Sequence, residues 1–346
     1  MADPRRLSLL NDWQRDFPLL REPFAHIAAA QQMTSQLVIE GYRELLADGA
    51  LSRIGGVFGA GTGGAALLSA MAVPLARLDE VAQAVSSHPG VNHNYQREHH
   101  FNLWFVMTGR DAQCVEDAMQ QLESATGLPA LRLRMERAYR IDLGFDLRHK
   151  TAGHGAETRT TPPVPVADDE WALAALVEDG LPLVERPFDA WAQALNSSPQ
   201  AVIDTLKGWI ERGTLRRFGA IVRHHELGFD ANAMTVFNVP DALVDDCGMA
   251  LAREAGITLA YRRERAAQWP YNLYCMVHGR DRDSVLAVIE RATAQCGLQD
   301  HPRATLFSCR RFKQTGARRF RDLPLDWAGC APSVAPPVPE ASDVAS

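Results

Sequence analysis

The sequence predicts an α+β fold laid down twice in tandem. Each copy reads as a helical unit ending in a β-wing, followed by a β-α-β-β-α-β unit. Three observations carry this. Landmarks recur in order: P-L-L-R-E-P-F-A at Pro18 returns as P-L-V-E-R-P-F-D at Pro182, and L-S-R-I-G-G at Leu51 returns as L-R-R-F-G-A at Leu215, both 164 residues on. Further along, Tyr95 matches Tyr261 at an offset of 166 and Asn102 matches Asn272 at 170, which places a four-residue insertion within 265–270. Finally, the apolar spacing switches between helical and strand periods in the same order in both copies.

In the first copy, helices are expected over 8–16, 23–31 and 35–48, with Thr34 as the cap of the third and Gly49 as its stop. A strand over 51–58 follows. The second copy repeats this with helices over 170–178, 187–195 and 199–212, then a strand over 215–222. There Ser198 is placed to cap and Pro199 suits the first helical position. Three helices and a β-wing make a winged helix-turn-helix. The rest of the first copy reads as strand 67–73, helix 75–86, strands 91–97 and 102–108, helix 112–126 and strand 131–139. The second reads as strand 233–239, helix 242–255, strands 258–263 and 271–278, helix 282–296 and strand 304–312. This order is ferredoxin-like. The expected domains are therefore winged units at 1–62 and 170–226, ferredoxin-like units at 63–148 and 227–327, an exposed Pro-rich linker at 149–169 and a disordered tail at 328–346.

With 346 residues, 46% hydrophobic and 23% charged, the chain is long enough for several packed cores. Its net charge of −6 argues against a broad nucleic-acid surface. The six cysteines form no C-x-x-C pair and no zinc-ligand spacing with histidine, so they are expected as free thiols and no protein-only metal site is expected. The N-terminal stretch lacks the apolar core of a signal peptide, and no window has the length of a membrane span. A cytoplasmic protein is expected.

The most informative stretch is a repeated hairpin. It runs Y-Q-R-E-H-H-F-N-L-W-F-V-M-T-G-R-D from Tyr95 to Asp111 and Y-R-R-E-R-A-A-Q-W-P-Y-N-L-Y-C-M-V-H-G-R-D from Tyr261 to Asp281. Each copy puts cations and aromatics in front of a short apolar strand opened by Asn-Leu, and each closes on Gly-Arg-Asp. Such a hairpin suits an anionic ligand with a large apolar body.

A winged helix-turn-helix joined to a ferredoxin-like domain resembles the Lrp/AsnC regulators. The longer motifs R-E-H-H-F-N-L-W-F-V-M-T-G, R-R-F-G-A-I-V-R-H-H-E-L-G-F-D-A-N-A-M and W-P-Y-N-L-Y-C-M-V-H-G resemble those of the siroheme decarboxylases, in the fused, tandem NirDL type. The resemblance spans residues 8–320. It implies an enzyme that converts two acetate side chains of siroheme to methyl groups with release of carbon dioxide, in the biosynthesis of the d-type haem of nitrite reductase. It also implies siroheme and monodecarboxysiroheme as ligands, no organic cofactor because the iron belongs to the substrate, and a homodimer. Neither DNA nor a membrane is an expected partner.

Siroheme is a carboxylate-rimmed iron macrocycle, and arginine is the side chain best matched to carboxylates. Arg97, Arg223, Arg262, Arg263 and Arg265 are the candidates to hold it, with Tyr95, His100 and Trp104 beside them. Decarboxylation leaves an electron pair that the macrocycle can share, so the protein must orient the acetate and supply a proton. Histidine does this near neutral pH, and the candidates are His224, His225 and His99. The R-H-H-E-L-G-F-D stretch has a glycine-rich counterpart at 59–64, while only the first hairpin carries a His pair; this predicts one pocket per chain drawing on both copies. The 59–64 run reads as a mobile flap or as backbone approaching a ligand closely. Two other functions use the same features. One is an Lrp/AsnC-like transcription regulator, which the third helices disfavour, since Arg43 faces Glu40 and Glu44, and Lys207 and Arg212 face Asp204 and Glu211. The other is a non-catalytic siroheme or haem carrier.

Overall fold

The computed structural model describes residues 4–141, 145–146, 151–152, 163–222, 231–324 and 327. The first copy runs α1 (Pro4–Asn11), α2 (Pro23–Ala30), α3 (Ser35–Ala47), β1 (Leu51–Phe58), β2 (Ala65–Met71), α4 (Leu78–Ser87), β3 (Val91–Arg97), β4 (Leu103–Gly109), α5 (Ala112–Thr126) and β5 (Ala130–Ile141). A short ladder pairs β6 (Phe145–Asp146) with β7 (Thr151–Ala152). The second copy runs α6 (Trp171–Asp179), α7 (Pro187–Ala194), α8 (Pro199–Glu211), β8 (Leu215–Val222), β9 (Ala231–Phe237), α9 (Val244–Arg253), β10 (Ile257–Arg263), β11 (Leu273–Gly279), α10 (Arg282–Gln295) and β12 (Arg303–Gln314).

The helical units do not stand apart. Their wings, β1 and β8, form one antiparallel ladder with Gly55 opposite Gly219 at its centre. Both positions require glycine, because a Cβ at Gly55 would lie 2.7 Å from the Val177 carbonyl oxygen and one at Gly219 would run into the Trp13 carbonyl. One apolar core spans the pair, with Phe24, Tyr42 and Ile54 from the first copy beside Phe188, Trp209 and Phe218 from the second. Mirrored ion pairs, Arg21–Asp189 at 2.9 Å and Arg186–Glu22 at 2.7 Å, close its edge. The side-chain caps form: Thr34 accepts from Leu37 N and Ser198 from Ala201 N.

The first helix starts and ends earlier than the spacing predicts. Residues beyond it serve β8 instead, since Ala220 N donates to Trp13 O at 2.7 Å and Phe17 N to Phe218 O. Tertiary pairing there outweighs the helical pattern. The linker reading changes too, within its described part: Val166 is buried, its N–H donates to Thr62 O, and Thr214 Oγ1 donates to Val164 O. The remainder of 149–169 up to residue 162, apart from β7, lies outside the described residues, as does the expected tail at 328–346.

The two ferredoxin-like units close into one barrel, in the order β10-β11-β9-β12-β3-β4-β2-β5 and back to β10. Each last strand is long enough to serve both copies. The first half of β5 pairs with β2 and the second half with β10; the first half of β12 pairs with β9 and the second half with β3. Alternation divides the side chains. Outward residues pack under α4 and α5 in the first copy and under α9 and α10 in the second. Inward residues, among them Leu68, Trp104, Leu133, Met234, Tyr261, Tyr274 and Leu306, fill the lumen of the barrel.

A strap after β12 then returns to the helical unit. Phe320 is buried against Phe58 and Trp171, and the buried Glu178 carboxylate accepts from the N–H groups of Arg319 and Phe320. This strap explains the glycine run at 59–64. A Cβ at Gly63 would meet Phe320 and one at Gly64 would meet Arg319, each at 2.5 Å, and Gly61, Gly63 and Gly64 all have positive φ. The close approach is to the chain's own strap rather than to a ligand.

Candidate functional site

The repeated hairpins separate into scaffolding and a remainder. Asn102 brackets Val73, accepting from its N–H at 2.9 Å and donating to its carbonyl at 2.8 Å; Asn272 does the same to Val239 at 3.0 Å in both directions. Gly279 has no room for a side chain beside Val285, and Gly109 sits tightly against Val115. The closing aspartates are helix caps: Asp111 accepts from Cys114 N and Asp281 from Ser284 N. The repeated residues with no such duty are the tyrosines and arginines.

These face the lumen as two matched half-sites. On β3, Tyr95 stands opposite Trp104, a lumen residue, so Tyr95 and, two residues on, Arg97 share that face. On β10, Tyr261 stands opposite Tyr274, and Arg263 follows it on the same face. Each guanidinium lies over its tyrosine ring, at 5.7 Å for Arg97 and 4.6 Å for Arg263. Each also donates to a carbonyl of the other copy: Arg97 Nη1 to Leu306 O at 3.0 Å, and Arg263 Nη1 to Leu133 O at 2.7 Å. Among the described residues, no carboxylate pairs with either. Burial lowers the Arg97 pKa to about 10, far enough above neutrality to keep the charge. Burial likewise raises the Tyr95 phenol, and the charges of Arg97 and Arg311 oppose that rise. A buried and a half-buried guanidinium with unused donors, framed by aromatic rings, can hold the carboxylates of a flat apolar ligand.

The other arginine candidates are placed differently. Arg262, between Tyr261 and Arg263, points to the helix side, where it ion-pairs with Glu136, with Asp241 at 3.5 Å and with Asp245 at 3.9 Å. Strand alternation thus places it on the face opposite Arg263, among carboxylates. Arg265 is taken up by its own loop, pairing with Asp241 at 2.8 Å and donating to the carbonyls of Val239 and Pro270. Arg223, His224 and His225 lie outside the described residues.

The hairpin turns meet through the inserted residues. Trp269 is buried against Trp104 at 5.0 Å, Phe101 at 6.0 Å and His99 at 5.2 Å, and its indole N–H donates to Tyr274 Oη at 2.7 Å. His99 Nδ1 accepts from Phe101 N, and partial burial, aided by the neighbouring His100, lowers its pKa. Its neighbour His100 is exposed and packs edge-on to Phe101. Motif spacing does not single out His93, Arg311 or Trp269, and it marks Tyr261 only as the repeat of Tyr95. For His93 the signal was present: residues 93, 95 and 97 share one face of a strand with a period of two. For Arg311 there was none, because it reaches Tyr95 only through pairing between the copies.

A family model described as AsnC-like ligand binding domain matches residues 62–140 and 226–313, and one described as siroheme decarboxylase NirDL-like HTH domain matches residues 7–51 and 171–216. The siroheme decarboxylase NirDL subunit of Paracoccus pantotrophus is 41% identical over 317 residues, covering 91% of this chain and 97% of the relative. The chain belongs to the siroheme decarboxylase family. Its architecture agrees with that of solved family members. The crystal structure of the siroheme decarboxylase NirDL matches with a TM-score of 0.66 and 28% identity, over 91% of this chain and 94% of that one. A second NirDL structure, in co-complex with an iron-uroporphyrin III analogue, matches with a TM-score of 0.64 and 28% identity, over 92% and 94%. Within the family frame, the tandem copies, the joint barrel and the two Arg–Tyr half-sites form one assembly inside a single chain.

Proposed function

We propose that this chain decarboxylates siroheme, converting two acetate side chains to methyl groups with release of carbon dioxide, on the route to the d-type haem of nitrite reductase. The observation that carries the reading is the pair of lumen-facing Arg–Tyr half-sites, in a member of a family that includes a NirDL structure holding an iron-uroporphyrin III analogue. Siroheme is likewise an iron macrocycle rimmed by carboxylates. Arg97 and Arg263 would take its carboxylates bidentately while the aromatic walls cover its flat faces. A ligand that displaces water from this wall would strengthen those ion pairs, and a reacting acetate left unpaired there would be disfavoured relative to neutral carbon dioxide. The macrocycle shares the electron pair left by the departing carbon dioxide, so the substrate brings the electron sink that other decarboxylases take from a cofactor.

The third helices of the winged units support an enzyme over a regulator. Arg43 donates to Leu183 O and Arg212 pairs with Glu170 at 2.9 Å, so two of their few cations are engaged within the protein. Anaerobic incubation with siroheme, followed by mass spectrometry, tests the reading. Successive losses of two carbon dioxide units are expected, and unchanged siroheme at stoichiometric enzyme would overturn it. Arg97→Ala or Arg263→Ala should each weaken siroheme binding by about ten- to a hundredfold in a spectral titration, the value of a hydrogen-bonded charge. Arg→Lys should recover only part of it.

A further inference from the structure

Much of the contact between the two copies does not distinguish one copy from the other. On the outer wall, the second half of each last strand clasps the first helix of the other copy's ferredoxin-like unit. Arg137 on β5 ion-pairs with Asp245 on α9 at 2.8 Å, and Arg310 on β12 with Asp79 on α4. Arg140 Nη1 donates to the carbonyls of Ala252 and Glu254 at the end of α9, and Lys313 Nζ to those of Ser86 and His88 at the end of α4. The strand residues correspond at an offset of 173 and the helix residues at 166, so either strand would find equivalent partners on either helix. The wing ladder is equally indifferent. Gly55 makes room for the Val177 carbonyl and Gly219 for that of Trp13, and both correspondences have an offset of 164.

Two positions do distinguish them. A Cβ at Gly248 on α9 would run into the ring of Tyr139, the middle residue of the β5 clasp. That bare backbone lets Tyr139 sink to 4% exposure, where its hydroxyl donates to Asp245 Oδ1. The equivalent residues at the other seam are Phe312 and Ala82. There the buried Ala82 fills the notch, and Phe312 packs against the core that contains it while staying half-buried. Exchanging the partners spoils both seams. Tyr139 over Ala82 would meet a methyl group in the place of its ring, and Phe312 over Gly248 would leave a hole. The second position lies in the helical units. Glu22 and Arg186 are equivalent residues, 164 apart, and they pair with each other at 2.7 Å. Two first copies would set Glu22 against Glu22, and two second copies Arg186 against Arg186. An exposed ion pair of this kind adds little stability, but opposed like charges penalise the wrong partner.

We propose that Tyr139 seated on Gly248, backed by Glu22 with Arg186, makes each copy select the unlike copy as its partner. The surface formed by β5 and the helical edge at Glu22 fits a second-copy unit and refuses another first copy. Such specificity is a difference between two affinities, set as much by what is refused as by what is held. The choice reaches the lumen. Unlike pairing brings Arg311 opposite Tyr95, whereas a pair of first copies would bring Ala138, the equivalent residue of β5, to that place.

The test counts pairs by native mass spectrometry, in the complex formed when halves separated within 153–162 are produced together in equal amounts. Chance pairing would make roughly half of the dimers like pairs, and the seat should hold these below about a tenth. Tyr139→Val with Glu22→Gln removes both obstacles to a first-copy pair. First-half pairs should then rise about tenfold or more, since each such pair carries the clash twice. Moving the notch, with Ala82→Gly and Gly248→Ala, should also raise them while leaving Tyr139 in place. Like pairs at the chance level in the wild type overturn the proposal, as do first-half pairs that neither set of changes increases. The full chain supplies a measurement that does not depend on how the halves fold. Gly248→Ala should lower its melting midpoint in the wild type and have little effect in a Tyr139→Val background. Equal losses in the two backgrounds overturn the seat.

Discussion

Single residues on the outer wall of the barrel bear on stability rather than chemistry, and His88 is the clearest. It is fully buried at the end of α4, its Nδ1 accepts from Gly90 N at 3.1 Å, and Trp327 packs edge-on against it at 4.8 Å. Burial drives its pKa down to about 4, and the charge of Lys313 adds to this. Folding thus favours the neutral ring. The unfolded histidine takes up its proton near pH 6.5, so the stabilisation is complete above that pH and is lost as pH falls from about 6.5 towards 4. Urea midpoints measured between pH 7 and 4 should fall steeply in the wild type. In His88→Gln the slope should be shallower by up to about 1.4 kcal/mol per pH unit, one proton's worth.

Among the elements, the hairpin-to-helix junctions show how one motif serves two ends. The Gly-Arg-Asp that closes both copies looks like a conspicuous charged triplet, yet its aspartates cap α5 and α10 and hold their carboxyl pKa values low by accepting backbone N–H groups at those helix starts. Asp111→Ala and Asp281→Ala should each lower the midpoint of a thermal melt, because two backbone N–H groups at each helix start lose their acceptor. Siroheme affinity and turnover should stay at wild-type level, because neither cap touches the lumen; a selective loss of turnover would show that the junction also serves the reaction. The long strands β5 and β12 are elements of the opposite kind. Their second halves pair only with the other copy, and their first halves supply, at Leu133 and Leu306, the carbonyls that anchor Arg263 and Arg97 of the other copy.

For the molecule as a whole, this division of labour means that neither copy is a complete protein. A first copy alone would expose the second half of β5 and the free edge of β3, together with half of the core shared by the helical units. Exposed strand edges recruit partners. Halves separated by cutting the chain within 153–162 and produced together should co-purify as one complex and bind siroheme. Either half produced alone should run as a self-associated species in size-exclusion chromatography with light scattering. A stable, monomeric first half would show that its core suffices without the second.

The duplication, the β-α-β-β-α-β order and the family were legible in the sequence because each is written locally, in periodicity, caps and long motifs. The tyrosines and arginines of the site were legible as repeated residues for the same reason. What tertiary structure decided was which of them meet. Adjacent Arg262 and Arg263 look interchangeable in the chain, but alternation sends one to the carboxylates beneath α9 and the other to the lumen. The glycines at 59–64 suggested room for a ligand, and the space belongs to a strap more than 250 residues further along. Arg311 joins Tyr95 only because β12 leaves its own sheet for the other copy. Local patterns record the period and the ends of an element, whereas a closed barrel built from two copies is set by pairings between distant strands, for which a single sequence carries no local mark.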